Sequence, residues 1–142
     1  MLPDVTGGGQ GAVVLAYVAA ALGGAQGALA RWGVAEALPR EPGAWPWATL
    51  LVNLSGCLVL GYLIGRVLDR AIGPPWLRPF LATGVLGGFT TYSAFAVETV
   101  QMAEAGRVGT AAGYVLASVA GGVLAAALGE RADRAPAREP AS

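Results

Sequence analysis

The sequence predicts an all-α membrane protein of four spanning helices, the third of them broken halfway across the bilayer. Three observations lead there. The chain of 142 residues is 55% hydrophobic and only 13% charged, about half the charged share of soluble domains. Its apolar residues gather into four runs, each near the roughly 20 residues that a helix needs to cross about 30 Å of hydrocarbon. The third run is interrupted by Gly87-Gly88-Phe89-Thr90-Thr91-Tyr92-Ser93-Ala94-Phe95, where glycines, hydroxyls and aromatics replace aliphatic side chains. Irregular backbone at that depth is tolerated only where protein or a cavity satisfies the freed N–H and C=O groups.

In chain order, residues 1–10, with Gly7-Gly8-Gly9, read as a flexible leader. Residues 11–130 form one four-helix transmembrane domain, and residues 131–142, with Pro136 and Pro140, a flexible tail. The first apolar run goes from about Gly11 to Arg31, too long and too rich in glycine for a signal peptide. Arg40-Glu41-Pro42-Gly43 turns the chain into the second run, Trp45 to Gly65. Asp69 to Pro75 follows, and its double proline stops a helix. The third run covers Leu77 to Ala103, and Glu104-Ala105-Gly106-Arg107 leads to the fourth, Val108 to Gly129. Such short links make consecutive helices antiparallel neighbours. Gly23/Gly27, Gly61/Gly65, Gly84/Gly88 and Gly109/Gly113 repeat at GxxxG spacing, which lets helices approach closely in lipid and suits an oligomer. Arg66, Arg70, Arg78, Arg131, Arg134 and Arg138 fall on the side of the termini, and Arg31, Arg40 and Arg107 on the other. That bias favours cytoplasmic termini, weakly enough for insertion both ways.

Composition also removes function classes. Lysine is absent, the net charge is zero and no basic block occurs, which argues against nucleic acid as a partner. With no histidine and one cysteine, Cys57, the chain has no disulfide framework, zinc site or histidine base. No nucleophile–base pair can be assembled, so an enzyme is the reading with the least support.

The polar residues inside the runs point to permeation. Thr49 and Asn53 share one helix face, as do Tyr114 and Ser118, a face that continues to Gly122. Asn53 suits either an interhelical hydrogen bond or an anion, and its spacing leaves both roles open. Glu98 is costly in a membrane and should face an aqueous vestibule or a partner, with Phe95 and Gln101 on its side of the helix. Donors from Asn53, Thr91, Ser93 and Ser118 suit an anion that has lost part of its water. The electropositive ring edges of Tyr92 and Phe95 can face the same ion. No cation lies in mid-run, Arg31 ending the first, so attraction would come from dipoles that also let the ion leave. Carbonyls freed in the break suit a small cation.

Three segments then carry a resemblance. Gly23-Gly24-Ala25-Gln26-Gly27-Ala28-Leu29-Ala30-Arg31, Trp47-Ala48-Thr49-Leu50-Leu51-Val52-Asn53-Leu54-Ser55-Gly56 and the Gly87 to Phe95 segment resemble the CrcB/Fluc family of fluoride channels, in order and spacing, from residue 23 to about 125. The resemblance implies an antiparallel, dual-topology homodimer in the cell (plasma or inner) membrane. It implies two pores along the dimer interface, passive fluoride export that lowers cytoplasmic toxicity, and fluoride, lipid and a second copy as partners. One structural Na+ per dimer would be held by main-chain carbonyls of Gly87 and Thr90. Tyr92 and Phe95 would be the pore aromatics, Asn53 the pore asparagine, Tyr114 and Ser118 the polar track, and Arg31 a residue near a pore entrance. Two positions depart from the family pattern: Tyr92 stands in place of phenylalanine, and Gly122 in place of the serine of some members. Small multidrug exporters share the size and the four helices, but need a carboxylate within the first helix, where this run has Gln26 and no acid. A structural subunit of a membrane complex would leave Asn53, Glu98 and the polar break without a purpose.

Overall fold

The computed structural model describes residues 7–64 and 73–134, and all regular structure among them is helical. The first helix is Gly7–Ala37 and the second Trp47–Leu63. The third comes in two parts. Its first half, Pro79–Leu86, is wound with i→i+5 hydrogen bonds and runs on through a single α-turn, Gly87–Phe89. Its second half is Tyr92–Glu104. The fourth helix is Val108–Arg134. Three segments are long and apolar enough to cross a membrane, Gly9–Ala37, Pro79–Glu104 and Val108–Ala132, while Trp47–Leu63 is shorter.

The helix bounds differ from the sequence expectation. The first helix starts at Gly7, inside the stretch expected as leader, and continues past Arg31 to Ala37. The fourth reaches Arg134, inside the expected tail. Each added residue extends a helix that is already nucleated, and extension is cheap compared with nucleation, even for glycine. The extension brings Glu36 into the first helix, so the expectation of no acid holds for Gly11 to Arg31 and not for the whole element; Glu36 lies in the last turn, exposed. The expected leader's residues 1–6, the loop residues 65–72 with Gly65, Arg66 and Arg70, and the tail from residue 135, with Pro136, Arg138 and Pro140, lie outside the described residues.

The helices associate in two pairs, the first with the first half of the third, the second with the fourth. Glycine makes both contacts possible. A Cβ on Gly84 would stand 2.7 Å from the Ala20 carbonyl oxygen, and one on Gly27 would stand 2.7 Å from the Phe89 nitrogen, so any side chain there would push backbones apart. Gly61 against Ala126, and Gly129 against Leu58 and Tyr62, do the same for the other pair. The Gly109/Gly113 pair does not behave this way: nothing lies within 4 Å of a Cβ at Gly109, and only the Trp45 ring comes near Gly113.

One end of the bundle is organised by loops. Gly43 and Gly106 have φ of 75° and 74°, a backbone that glycine adopts without strain. Gly106 closes the third helix, with the Arg107 N–H returning to the Met102 carbonyl at 2.9 Å. Arg107 Nη1 donates to the Gly43 carbonyl at 3.3 Å and ties the two loops together. Beneath them lies the core: Leu50, Met102, Ala111 and Tyr114, with Trp45, Leu54 and Phe95 packed on it. Elsewhere many apolar side chains are exposed, including Tyr17, Leu29 and Trp32 on the first helix and Leu116 and Val123 on the fourth. Lipid or a partner must cover them.

A candidate ion site built on a clamped helix break

The break occupies two residues. Thr90 (φ −74°, ψ 156°) and Thr91 (φ −147°, ψ 121°) are extended. Thr90 turns back on the helix it ends: its N–H and its hydroxyl both donate to the Leu86 carbonyl, at 2.9 and 2.8 Å. Thr91 starts the next helix as its N-cap, its hydroxyl accepting the Ala94 N–H at 3.2 Å. The Ser93 hydroxyl lies 3.2 Å from that of Thr91.

Two side chains from other helices hold the break open. Asn53 accepts the Thr91 N–H at 2.8 Å and donates to the Thr91 carbonyl at 2.9 Å, so one amide satisfies both polar groups of an unwound residue. Arg31 Nε donates to the Gly88 carbonyl at 3.1 Å. Arg31 follows Gly23 and Gly27 at four-residue spacing, so the stripe that brings the first helix close also delivers its guanidinium to the break.

The break leaves carbonyls without helical donors, two of them, those of Gly87 and Thr90, on residues that line a cleft. In an unbroken helix the Thr91 N–H would serve the Gly87 carbonyl, and the Ala94 N–H would serve that of Thr90. Both donors are diverted, one to Asn53 and one to the Thr91 hydroxyl. The carbonyls of Gly87, Phe89 and Thr90 therefore lose their helical donors, while that of Gly88 receives Arg31 instead; the carbonyl of Thr91, as N-cap, keeps its bond in the next helix and gains Asn53 as a second donor. Among the described residues no cluster of histidine, cysteine or carboxylates could hold a metal. A cation held here would have to use neutral oxygens, from the backbone or from side-chain hydroxyls and amides.

Beside the break is an open cleft of about 470 Å³, lined by Asn53, Thr91, Tyr92, Phe95 and Ser118, together with Gly87 and Thr90. None of the side chains lining it is charged. The Ser118 hydroxyl oxygen is buried and has no hydrogen-bond partner. The amide of Asn53 retains one N–H after its bond to Thr91. The Tyr92 ring, 80% exposed, stands 5.8 Å from that of Phe95, which lies 5.3 Å from Tyr114. Free O–H and N–H donors and ring edges around an uncharged space are the groups that replace water around an anion without trapping it.

Other expected residues sit in a second cluster. Glu98 accepts from the Thr49 hydroxyl at 2.8 Å and from the Tyr114 hydroxyl at 3.0 Å. Arg40 Nε stands 3.6 Å from the same carboxylate, whose side chain is 12% exposed. The cost of burying Glu98 is thus met by partners within the subunit. Tyr114 is fully buried, its hydroxyl donates to Glu98, and it does not line the cleft. Arg31, Thr49, Thr91 and Glu98 also line a separate inner cavity of about 150 Å³. Gly122 stands beside Cys57, whose sulfur would be 3.5 Å from an added Cβ.

Sequence reasoning did not find Arg40 as a partner of Glu98. It lies in a loop, with no periodicity to link it to the third helix. The folded chain brings its Nη2 to Gln101 Oε1 at 2.8 Å, across a sequence separation of 61.

Comparison with known proteins gives a consistent pattern. A family profile described as "CrcB-like protein, Camphor Resistance (CrcB)" matches residues 18–130. A protein of Bordetella petrii named fluoride-specific ion channel FluC is 44% identical over 117 residues, 82% of this chain and 90% of that one. The Paracoccus denitrificans protein of the same name is 48% identical over 103 residues, covering 72% and 82%. Fluoride-specific ion channel FluC 2 of Thermobifida fusca is 45% identical over 131 residues, covering 89% and 96%.

Proposed function

Because this chain belongs to the CrcB-like family, and is a multi-pass protein of the cell membrane, we propose that it is a fluoride-selective channel that lets fluoride leave the cell passively. Three relatives described above are named fluoride-specific ion channels, a class that is not enzymatic. The observation that carries the proposal is the cleft beside the break. It has an unpartnered buried hydroxyl at Ser118, a spare amide N–H at Asn53, two aromatic rings and no charge in its lining. Fluoride is small and strongly hydrated, so it needs several close donors to leave water. A fixed cation would hold it; dipoles let it pass.

The working unit is an antiparallel homodimer with two pores, each lined by both copies. Support comes from the openness of the cleft on the subunit surface and from the exposed Tyr92 beside it. A two-fold contact would use the same patch on both copies and close the cleft from the other side. The weak arginine bias of the sequence is compatible with opposite insertion.

Sodium fits the break. Among the carbonyls that lose helical partners, those of Gly87 and Thr90 belong to residues lining the open cleft, and a hard cation prefers oxygen ligands. Two such oxygens from each copy would hold it on the dimer axis. The ion would supply a positive charge that ties the subunits together. Arg31 and Asn53 do the remaining work by satisfying the neighbouring carbonyls and keeping these two free.

The test is fluoride efflux from liposomes that carry the purified protein, with chloride as the control. Fluoride should run down its gradient while chloride is retained. Equal rates for both ions, or no flux, would reject the channel reading. Export of organic cations would instead favour a multidrug exporter, an alternative weakened by the position of Glu36 in the exposed last turn of the first helix.

A further inference from the structure

Arg40 makes more specific contacts than a loop arginine needs. Its Nη1 donates to the Ala44 carbonyl at 3.1 Å, its Nη2 to Gln101 Oε1 at 2.8 Å, and its Nε faces Glu98 Oε1 at 3.6 Å. One guanidinium thereby joins the loop before the second helix to the second half of the third. Glu98 in turn accepts from Thr49 on the second helix and Tyr114 on the fourth. The side-chain exposure of the ion pair is 23% for Arg40 and 12% for Glu98, so water screens it only in part.

The position of the pair matters as much as its bonds. Glu98 lines the inner cavity of about 150 Å³ together with Arg31, Thr49 and Thr91. Arg40 lines an outer groove of about 620 Å³ between the end of the first helix and the start of the second, with Trp45 and Trp47. Each member of the pair therefore borders one of two spaces. An anion close to Thr91 would share that cavity with Glu98. A bare carboxylate there would repel it.

We propose that Arg40 is a positioning residue of the anion path: its guanidinium offsets the Glu98 carboxylate and pins it against Thr49 and Tyr114. The proposal rests on the channel reading. Without Arg40, the carboxylate loses its nearest positive charge and its restraint from the loop. Arg31, the cation that lines the inner cavity itself, is tied to the Gly88 carbonyl. Local fields of this kind change the access of charged ligands by about tenfold or more.

The test compares Arg40→Gln and Arg40→Lys with the wild type in the liposome efflux assay, at low and at high concentrations of an inert salt. Arg40→Gln should lower fluoride flux about tenfold at low salt. Arg40→Lys keeps the charge and should keep most of the flux. The deficit of Arg40→Gln should shrink at high salt, because the screening length falls from roughly 30 Å at 0.01 M to roughly 3 Å at 1 M. A purely structural role would give a deficit that salt does not change and that lysine does not rescue, and would overturn the proposal. Arg40→Gln flux equal to wild type would overturn it too, while leaving the channel reading in place. A wild-type protein that retains fluoride would overturn both. Elution of each variant as the same species in size-exclusion chromatography keeps misfolding from being counted as lost conduction, and thermal unfolding in detergent provides the second readout.

Discussion

The two halves of the third helix are held by different physics. The first half, Pro79–Leu86 with its terminal turn, meets the first helix backbone against backbone, through Gly23, Gly27, Gly84 and Gly88. The second half, Tyr92–Glu104, meets its neighbours through side chains: the Phe95–Tyr114 ring contact, and the Glu98 cluster with Thr49, Tyr114 and Arg40. Close backbone contact has no slack, because a glycine cannot move aside to admit a methyl group. A side-chain network can adjust. The break lies where the rigid half gives way to the adjustable one. Its fixed carbonyls are on the rigid side, and most groups that would meet a passing ion are on the other.

This contrast can be broken from the rigid side with the largest effect. Gly84→Ala puts a methyl group 2.7 Å from the Ala20 carbonyl oxygen and 2.9 Å from the Gly23 Cα. Overpacking of this kind should cost about 1–3 kcal/mol, read as a lower unfolding temperature in detergent. Gly109→Ala, with nothing within 4 Å, should unfold no earlier than wild type. Equal losses from both would mean that the glycine seam is not what holds the first half.

The junction comes next. Asn53→Ala would leave the Thr91 N–H without a partner and take one of two donors from its carbonyl, at about 1–3 kcal/mol for the unpaired group. Fluoride flux should vanish. Asn53→Asp keeps an acceptor for the N–H but loses the donor and adds charge to an anion path, so flux should also fall while more stability is kept. Normal conduction by Asn53→Asp would make Asn53 a helix fastener and nothing more.

On the adjustable side the effects should fall on flux more than on folding. Phe95→Ile keeps bulk and removes the ring edge, costing about 0.5–1.5 kcal/mol for the lost contact with Tyr114. Its fluoride efflux should drop sharply in a protein that still unfolds cooperatively. A Phe95→Ile variant with wild-type flux would remove the aromatic from the ion path. The smallest change is Tyr92→Phe, on a ring that is 80% exposed. Efflux within about twofold of wild type is expected. A dead variant would show that the cleft depends on the tyrosine hydroxyl.

Much of this contrast was legible before any coordinates. The GxxxG spacing marked Gly23, Gly27, Gly84 and Gly88 as contact points, and those are where backbones meet. The same spacing at Gly109 and Gly113 was misleading within the subunit, because periodicity identifies a smooth face and not what lies against it. The polar interruption announced the break at Thr90 and Thr91. Asn53 was legible as a polar residue in an apolar run, but its bidentate hold on Thr91 was not, since that depends on the rotation of the second helix against the third. Arg31 looked like the end of a run and proved to be a donor to the break.

By itself, the sequence determined the helical class, the apolar runs, the place of the break and the absence of histidine and lysine chemistry. These follow from local properties: length against bilayer thickness, periodicity, and the cost of polar groups in lipid. Tertiary structure alone decided which carbonyls of the break are satisfied and which are left, that Tyr114 donates to Glu98, and that Arg40 reaches across from a loop to the same carboxylate. A hydrogen bond selects its partner by distance and angle within a few tenths of an ångström. Such distances depend on how the helices are rotated against one another at their glycine contacts, which the spacing of the glycines does not encode.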